Sequence, residues 1–232
     1  MLRPHKIEIM ILTKAREKID RFNKLGIHYN IVADYVYEKR RLLTELFDTD
    51  YLPYLVAALI SFDLERMMGQ GAENKYDIMA GRFATILHKK LSGIRSKLRH
   101  LTETNLAEVD LQHEKANIEA AYQELSAGGK GGLNQKGGEF HVGATKILHF
   151  INPELFLIVD SNAARAFKRN HDISYRNTTQ PGYTSEKYLS CMSCAKADII
   201  AFGLKDFCSL EPGTPMARIY DKLTFATGSE WP

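Results

Sequence analysis

The sequence predicts an all-α, multi-helix protein, and three observations carry that reading. Apolar residues recur at three- and four-residue spacing through most of the 232 positions. No segment sustains the apolar/polar alternation of a half-buried strand. Glycine, proline and capping residues fall between the periodic segments, where helices start and stop.

The first helix is expected over 8–25, where Ile9, Ile11, Leu12 and Ile19 share the window with Lys and Arg, and Gly26 stands at its C-terminal stop. A second spans 28–47, with Ile31, Val32, Tyr35, Val36, Leu42, Leu43, Leu46 and Phe47 in helical register. Asp50 can cap a third running to Met68, with Pro53 in its first turn, where a missing N–H costs nothing. Gly69 and Gly71 end it, and its last part, Ser61 to Met68, reads as a helix end with internal ion pairs or as a pocket mouth.

A long helix starts at Asn74 or Asp77 and carries the stripe Met79, Phe83, Ile86, Leu87, Leu91, Ile94, Leu98 and Leu101. Gly81 and Gly93 weaken it by about 1 kcal/mol each relative to alanine. Further helices are expected over 105–125, 141–151, 161–170, 184–203 and 214–226. In the last, Thr214 is the N-cap and Pro215 the first helical residue, with the lone Trp231 packing the terminus. Residues 126–138 hold six glycines in thirteen positions. The expected organisation is two helical subdomains, 1–127 and 139–232, joined by the glycine-rich loop 128–138.

With 44% hydrophobic and 25% charged residues the composition is that of a globular protein. No window approaches the roughly 20 apolar residues that cross a bilayer. Lys6 and Glu8 break up the N-terminal apolar residues, so no secretory core is expected there. Three cysteines, an odd number, argue against a secreted disulfide framework. A cytoplasmic protein without a membrane partner is the expectation.

Several tempting motifs fail on their chemistry. The glycine loop lacks the Gly-Lys-Ser/Thr ending and the preceding strand that a nucleoside-triphosphate loop needs. It reads as a flexible linker, or as backbone that approaches a phosphodiester with Lys130 and Lys136 supplying charge. Cys191 and Cys194 have zinc-ligand spacing, but no second cysteine or histidine pair completes four ligands. They read as structural, and no metal or cofactor is required.

Charge distribution says more than the net charge of +3. Between Asp77 and Glu103 there is no acidic residue, while Arg82, Lys89, Lys90, Arg95, Lys97 and Arg99 fill the window. That is either a solvated helix face or a surface for an anion such as a phosphate backbone. Lys168, Arg169 and Arg176 form a second basic cluster.

The most informative stretch is 141–165. Val142-Gly143-Ala-Thr145-Lys146 opens an apolar helix, Pro153 breaks it, and Asp160-Ser161-Asn162 opens the next. Small residues at a helix start leave N–H groups free for a phosphate. One helix beginning offers an amine and the next a carboxylate. An uncharged lysine can attack a sugar C1′, and a carboxylate can shuttle the proton or stabilise an oxocarbenium-like centre. Lys146 can equally be a solvated first-turn lysine, and Asp160 an N-cap. His141 and His149 flank the lysine at i−5 and i+3, with His149 on the same helix face as a core or phosphate-contacting residue.

At these residues the chain resembles the helix-hairpin-helix DNA glycosylase superfamily. Val142-Gly143 is similar to the end of the family's hairpin, Lys146 to its Schiff-base lysine, Pro153 to its loop proline and Asp160 to its essential aspartate. Lys146 lies one place further from the glycine than the family lysine, with Thr145 in the aligned position. The chain also resembles uncharacterised helical proteins with a Lys-x-Leu-x-Phe-x-x-Pro-x-Leu-Phe-x-x-x-Asp-Ser signature. The resemblance covers about 30 residues. It implies a glycosylase-like all-helical fold, duplex DNA as partner and base flipping before glycosidic cleavage. Lys146 and Asp160 would be catalytic, Gly143 would turn the hairpin over a phosphate, and Thr145, Lys130, Lys136, Arg165, Lys168 and Arg169 would lie along DNA. The alternative expectation is a non-enzymatic helical interaction protein that keeps the fold without the chemistry.

Overall fold

The computed structural model describes residues 10–43, 45–64, 81–134, 138–174 and 184–229. Among them are ten α-helices and no strand. In order these are α1 (Ala15–Leu25), α2 (Ile27–Leu42), α3 (Leu52–Leu59), α4 (Arg82–Leu98), α5 (Lys115–Ser126), α6 (His141–Ile151), α7 (Ser161–His171), α8 (Ser185–Phe202), α9 (Leu204–Cys208) and α10 (Met216–Gly228). A π-helical turn, Ile60–Leu64, continues α3, and a 3-10 turn, Arg99–Leu101, continues α4. The expectations attached to Glu65–Met68, Gly69, Gly71, Asn74, Asp77, Met79, Lys136, Arg176 and Trp231 lie outside the described residues.

The fold class is as the periodicity predicts; the element ends differ for local reasons. Lys14 sits at φ 55°, in the left-handed region, so 10–14 are turns and α1 starts at Ala15. Gly26 closes α1 as expected, its N–H donating to Phe22 O at 2.7 Å. The helix expected over 105–125 begins only at Lys115. Asn105 Oδ1 takes the Glu108 N–H, and Asp110 Oδ1 takes those of Gln112 and His113, each at 3.0 Å. These side-chain acceptors compete with the helical carbonyls and hold 105–113 in turns. Gly203, at φ 99°, separates α8 from the short α9 that the sequence did not suggest.

Thr214 does not cap the last helix. A carboxylate oxygen of Glu154 accepts the Met216 N–H at 2.8 Å, and Pro153 O accepts that of Ala217 at 3.1 Å. The same connector is tied on its other side, where Asn152 Nδ2 donates to Leu101 O and Thr104 O at 2.6 Å each. The Asn-Pro-Glu break after α6 is therefore the joint that fixes where α10 begins.

Helix α6 is the centre of the packing. Every residue from Gly143 to Ile151 is buried, and α2, α3 and α5 pack against it. Helix α10 lies between α7 and α1, so the first and last helices are neighbours across the expected division at 128–138. One continuous apolar core includes Ile19, Leu55, Leu91, Leu148, Phe167 and Leu223.

Candidate functional site

A polar centre is embedded in that core. Helix α6 carries Lys146 and, three residues on, His149. The π-helical turn brings the Phe62 carbonyl, α2 brings Asn30 and Tyr37, and α10 brings Arg218 and Asp221. Asp160 stands at the start of α7.

Lys146 is only 7% exposed. Its amine donates to Phe62 O at 2.5 Å and lies 5.4 Å from the centre of the Phe62 ring. It is not the solvated first-turn lysine that its position in α6 allows. Asp160 caps α7 as its sequence context predicts. Its Oδ1 accepts the N–H groups of Asn162 and Ala163 at 2.8 and 2.9 Å. Among the described residues its second carboxylate oxygen has no hydrogen-bond donor.

Asp221 links the two. It pairs with Arg218, both buried, and Arg218 also donates to Asn30 Oδ1 at 3.1 Å and lies over the rings of Phe22 and Phe62. Burial pushes the Asp221 carboxyl up to about 6. Arg218 pulls against that rise, Asp160 adds to it, and Lys146 opposes it more weakly. Lys146, Asp160, Arg218 and Asp221 thus belong to one electrostatic centre. Arg218 and Asp221 escaped the sequence reading because a pair at i, i+3 on an amphipathic helix looks solvated. The signal was the company they keep, for α10 is buried continuously from Met216 to Thr224.

His149 is a fully buried core histidine. Phe156 O can only accept, so Nδ1 carries the proton and donates to it at 2.7 Å. The Nε2 lone pair then accepts the Tyr37 hydroxyl at 2.6 Å. Burial, with Arg218 adding to it, holds the imidazole down to about 3 against the Phe156 hydrogen bond, and burial pushes the Tyr37 phenol up.

These shifts set opposed pH dependences. The unfolded histidine binds a proton below about 6.5 and the folded one does not, so the His149 contribution is lost as pH falls from 6.5. Asp221 has the reverse sign. Held near 6 against 3.8 unfolded, it binds a proton in the folded state first, so its contribution grows as pH falls from 6 to 4. Each runs at up to about 1.4 kcal/mol per pH unit. Between pH 6 and 4 they oppose each other in the native protein. Asp221→Asn removes one limb, so urea denaturation of the variant should show about 2–3 kcal/mol more acid destabilisation across that interval than the native chain. Parallel pH profiles would show that the two groups do not titrate as the geometry requires.

The residues expected along DNA are placed as follows. Gly143 is inside α6 and does not turn a hairpin; a Cβ there would come within 1.9 Å of the Phe140 ring, so close packing requires the glycine. Thr145 is 1% exposed and out of reach of a phosphate. Its hydroxyl donates to Val142 O at 2.9 Å and accepts the Val159 N–H at 3.1 Å, which pins the residue before Asp160 onto α6. Arg165 donates to Gly228 O at 2.7 Å and to Asn162 Oδ1, and Arg169 donates to Thr227 O at 3.3 Å. Those two arginines hold the C-terminal carbonyls of α10. Lys168 pairs with Asp172.

Much of the basic run on α4 is neutralised internally. Arg95 pairs with Glu45 at 2.7 Å and Asp48 at 3.4 Å, Arg99 with Glu45 at 2.9 Å, and Lys90 with Glu124 at 3.2 Å. Arg82 donates to Lys130 O at 2.6 Å, which ties the glycine loop to the start of α4. The exposed Lys130 joins Arg82, Lys89 and Lys90 around a groove of about 580 Å³ in which Glu124 is the one acidic lining residue among the described residues. Among the described residues no group of three metal-ligating side chains comes together, and no helix is long and apolar enough to cross a membrane. The chain matches no protein-family model, no curated protein and no solved structure.

Proposed function

We propose that the chain is a DNA-binding protein of glycosylase-like architecture whose Lys146–Asp160 centre excises a base through an imine. What supports this is the single electrostatic centre that Lys146 and Asp160 form with Asp221. In the proposed step the Lys146 amine attacks the sugar C1′ as the glycosidic C–N bond breaks, and the base departs with its electron pair. The second carboxylate oxygen of Asp160 takes the proton that the attacking amine sheds; the C1′–O4′ bond then breaks, the remaining N–H proton passes to O4′, and the imine forms. Asp221, with its carboxyl pushed up to about 6, can protonate the departing base. The cationic groove at Arg82, Lys89 and Lys130 has the charge to hold a phosphodiester.

The test is borohydride trapping on duplexes carrying an abasic site or a panel of altered bases. The native chain should yield a covalent adduct, and Lys146→Gln none. Asp160→Asn keeps an N-cap oxygen for α7, so it should abolish excision while leaving DNA affinity nearly intact. Full excision by Asp160→Asn would remove the carboxylate from the mechanism. No adduct on any duplex would remove the lysine.

One observation favours a second reading, a non-enzymatic helical interaction protein. Helix α2 exposes Ile27, Ile31, Tyr35 and Leu42 along one side, and both arginines expected on DNA are occupied by α10. Duplex binding that falls steeply with salt supports the first reading; absent or salt-independent binding supports the second.

A further inference from the structure

Four of the eight large apolar side chains exposed among the described residues stand on α2: Ile27, Ile31, Tyr35 and Leu42. The other side of α2 carries Asn30 and Tyr37 to the lysine centre, so this face is left over once the core is built. Ile31 and Leu42 are 64% and 68% exposed, and a row of such residues marks an interface. Ile31, Tyr35, Glu38 and Leu42 follow one another at four-three-four spacing, the seam along which two helices pair. Tyr35 is already held in place. Its ring centre is 5.9 Å from that of Tyr54 in an edge-on contact and 5.2 Å from the Lys39 amine, so covering it costs little side-chain freedom.

We infer that this seam pairs with the same seam of a second copy, the two α2 helices running antiparallel about a two-fold axis. The spacing reads alike in both directions, so reversal sets Ile31 opposite the copy's Leu42 and Tyr35 opposite the copy's Glu38. Apolar meets apolar. The Glu38 carboxylate, which an apolar partner would strand, receives a phenol hydroxyl as donor. A parallel pair would instead set Glu38 against Glu38. The flank agrees with the seam. Asp34 and Arg41 are exposed on the same side of it and form no ion pair among the described residues. Antiparallel helices bring like flanks together, and in this register Asp34 lies about 3 Å along the axis from the copy's Arg41. Each charge gains a partner, twice over by symmetry. The contact is one helix wide, at the low end of interface size, so the dimer is reversible, with a dissociation constant on the order of 10–100 µM. The inference rests on the α2 face of the interaction reading and is independent of the Lys146 chemistry.

Sedimentation velocity of the full chain, from about 1 µM to about 1 mM at physiological salt, decides the pairing. The native chain should pass from monomer to dimer across that range. Ile31→Glu and Leu42→Glu should each raise the dissociation constant about tenfold or more. Both positions are exposed, so the helical circular dichroism should not change; if one variant loses helix, the other carries the comparison. Asp34→Arg and Arg41→Asp each set like charges opposite one another and should weaken the dimer when studied alone. Mixed in equal amounts, the two variants should recover it, because each contact then joins an arginine of one chain to an aspartate of the other. A native chain that stays monomeric at the highest concentration overturns the pairing, while the salt series on duplex DNA decides the interaction reading separately. A dimer that Ile31→Glu and Leu42→Glu both leave intact overturns the choice of face. Charge variants that dimerise as the native chain does, or a mixture that does not recover, overturn the antiparallel register.

Discussion

Arg218→Met should cost about 3–5 kcal/mol of folding free energy, because it strands one member of a buried ion pair. In a chain of this length that is a fall of roughly 10 °C in the melting temperature. The guanidinium neutralises Asp221, bonds Asn30 Oδ1 and fills the space between the rings of Phe22 and Phe62. Methionine replaces much of the volume and none of the charge. Asp221 then keeps the repulsion of Asp160 and the weaker attraction of Lys146. The double variant R218M/D221L removes both charges, and buried pairs replaced by apolar residues are often neutral or better. It should therefore be more stable than R218M alone, a non-additivity that a double-mutant cycle in urea measures directly. A loss below about 1 kcal/mol for R218M would mean that water reaches the pair.

Gly228→Ala should be nearly as damaging, at about 3 kcal/mol. A Cβ at Gly228 would stand 1.8 Å from Asn162 O and 2.6 Å from the Asn162 carbonyl carbon. Both are backbone atoms, so no side chain can swing aside, and relief requires α7 to slide off α10. That movement would also break the Arg165 bond to Gly228 O and displace the first turn of α7, where Asp160 caps. Gly93→Ala is the control. It lies inside α4 with nothing within 4 Å of the added carbon, and it should stabilise by about 0.5–1 kcal/mol. Thermal melts of the two variants should move in opposite directions. A neutral Gly228→Ala would show that the α7–α10 crossing is looser than its geometry.

The contrast between these glycines shows what the sequence could and could not reveal. Periodicity and punctuation place α6, α7 and α8 almost to the residue, because each is bounded by residues that act on their own backbone: Pro153, Asp160 and Thr184. The errors lie where a side chain competes for the backbone or a distant group decides. The turns at 105–113 follow from local side-chain acceptors, but the Asn105–Leu125 pattern hides them because its apolar spacing is helical. Thr214 is a good cap by composition, yet Glu154 occupies that place from 62 residues away. The site was half visible. Lys146 and Asp160 stood out as an amine and a carboxylate at consecutive helix starts, whereas Arg218, Asp221 and Tyr37 join them only through tertiary packing. The cationic run on α4 was read without its partners, since Glu45, Asp48 and Glu124 sit on other elements.

The crossing of α7 and α10 has a mechanical consequence. It is closed at Gly228 by backbone contact and bound along α7 by Arg165 and Arg169, so a shift of one helix on the other has to break both. Asp160 rides on one and Asp221 on the other. The packing that closes this crossing therefore also sets how far apart the two acids stand, as the hinge pin of a calliper sets its gap.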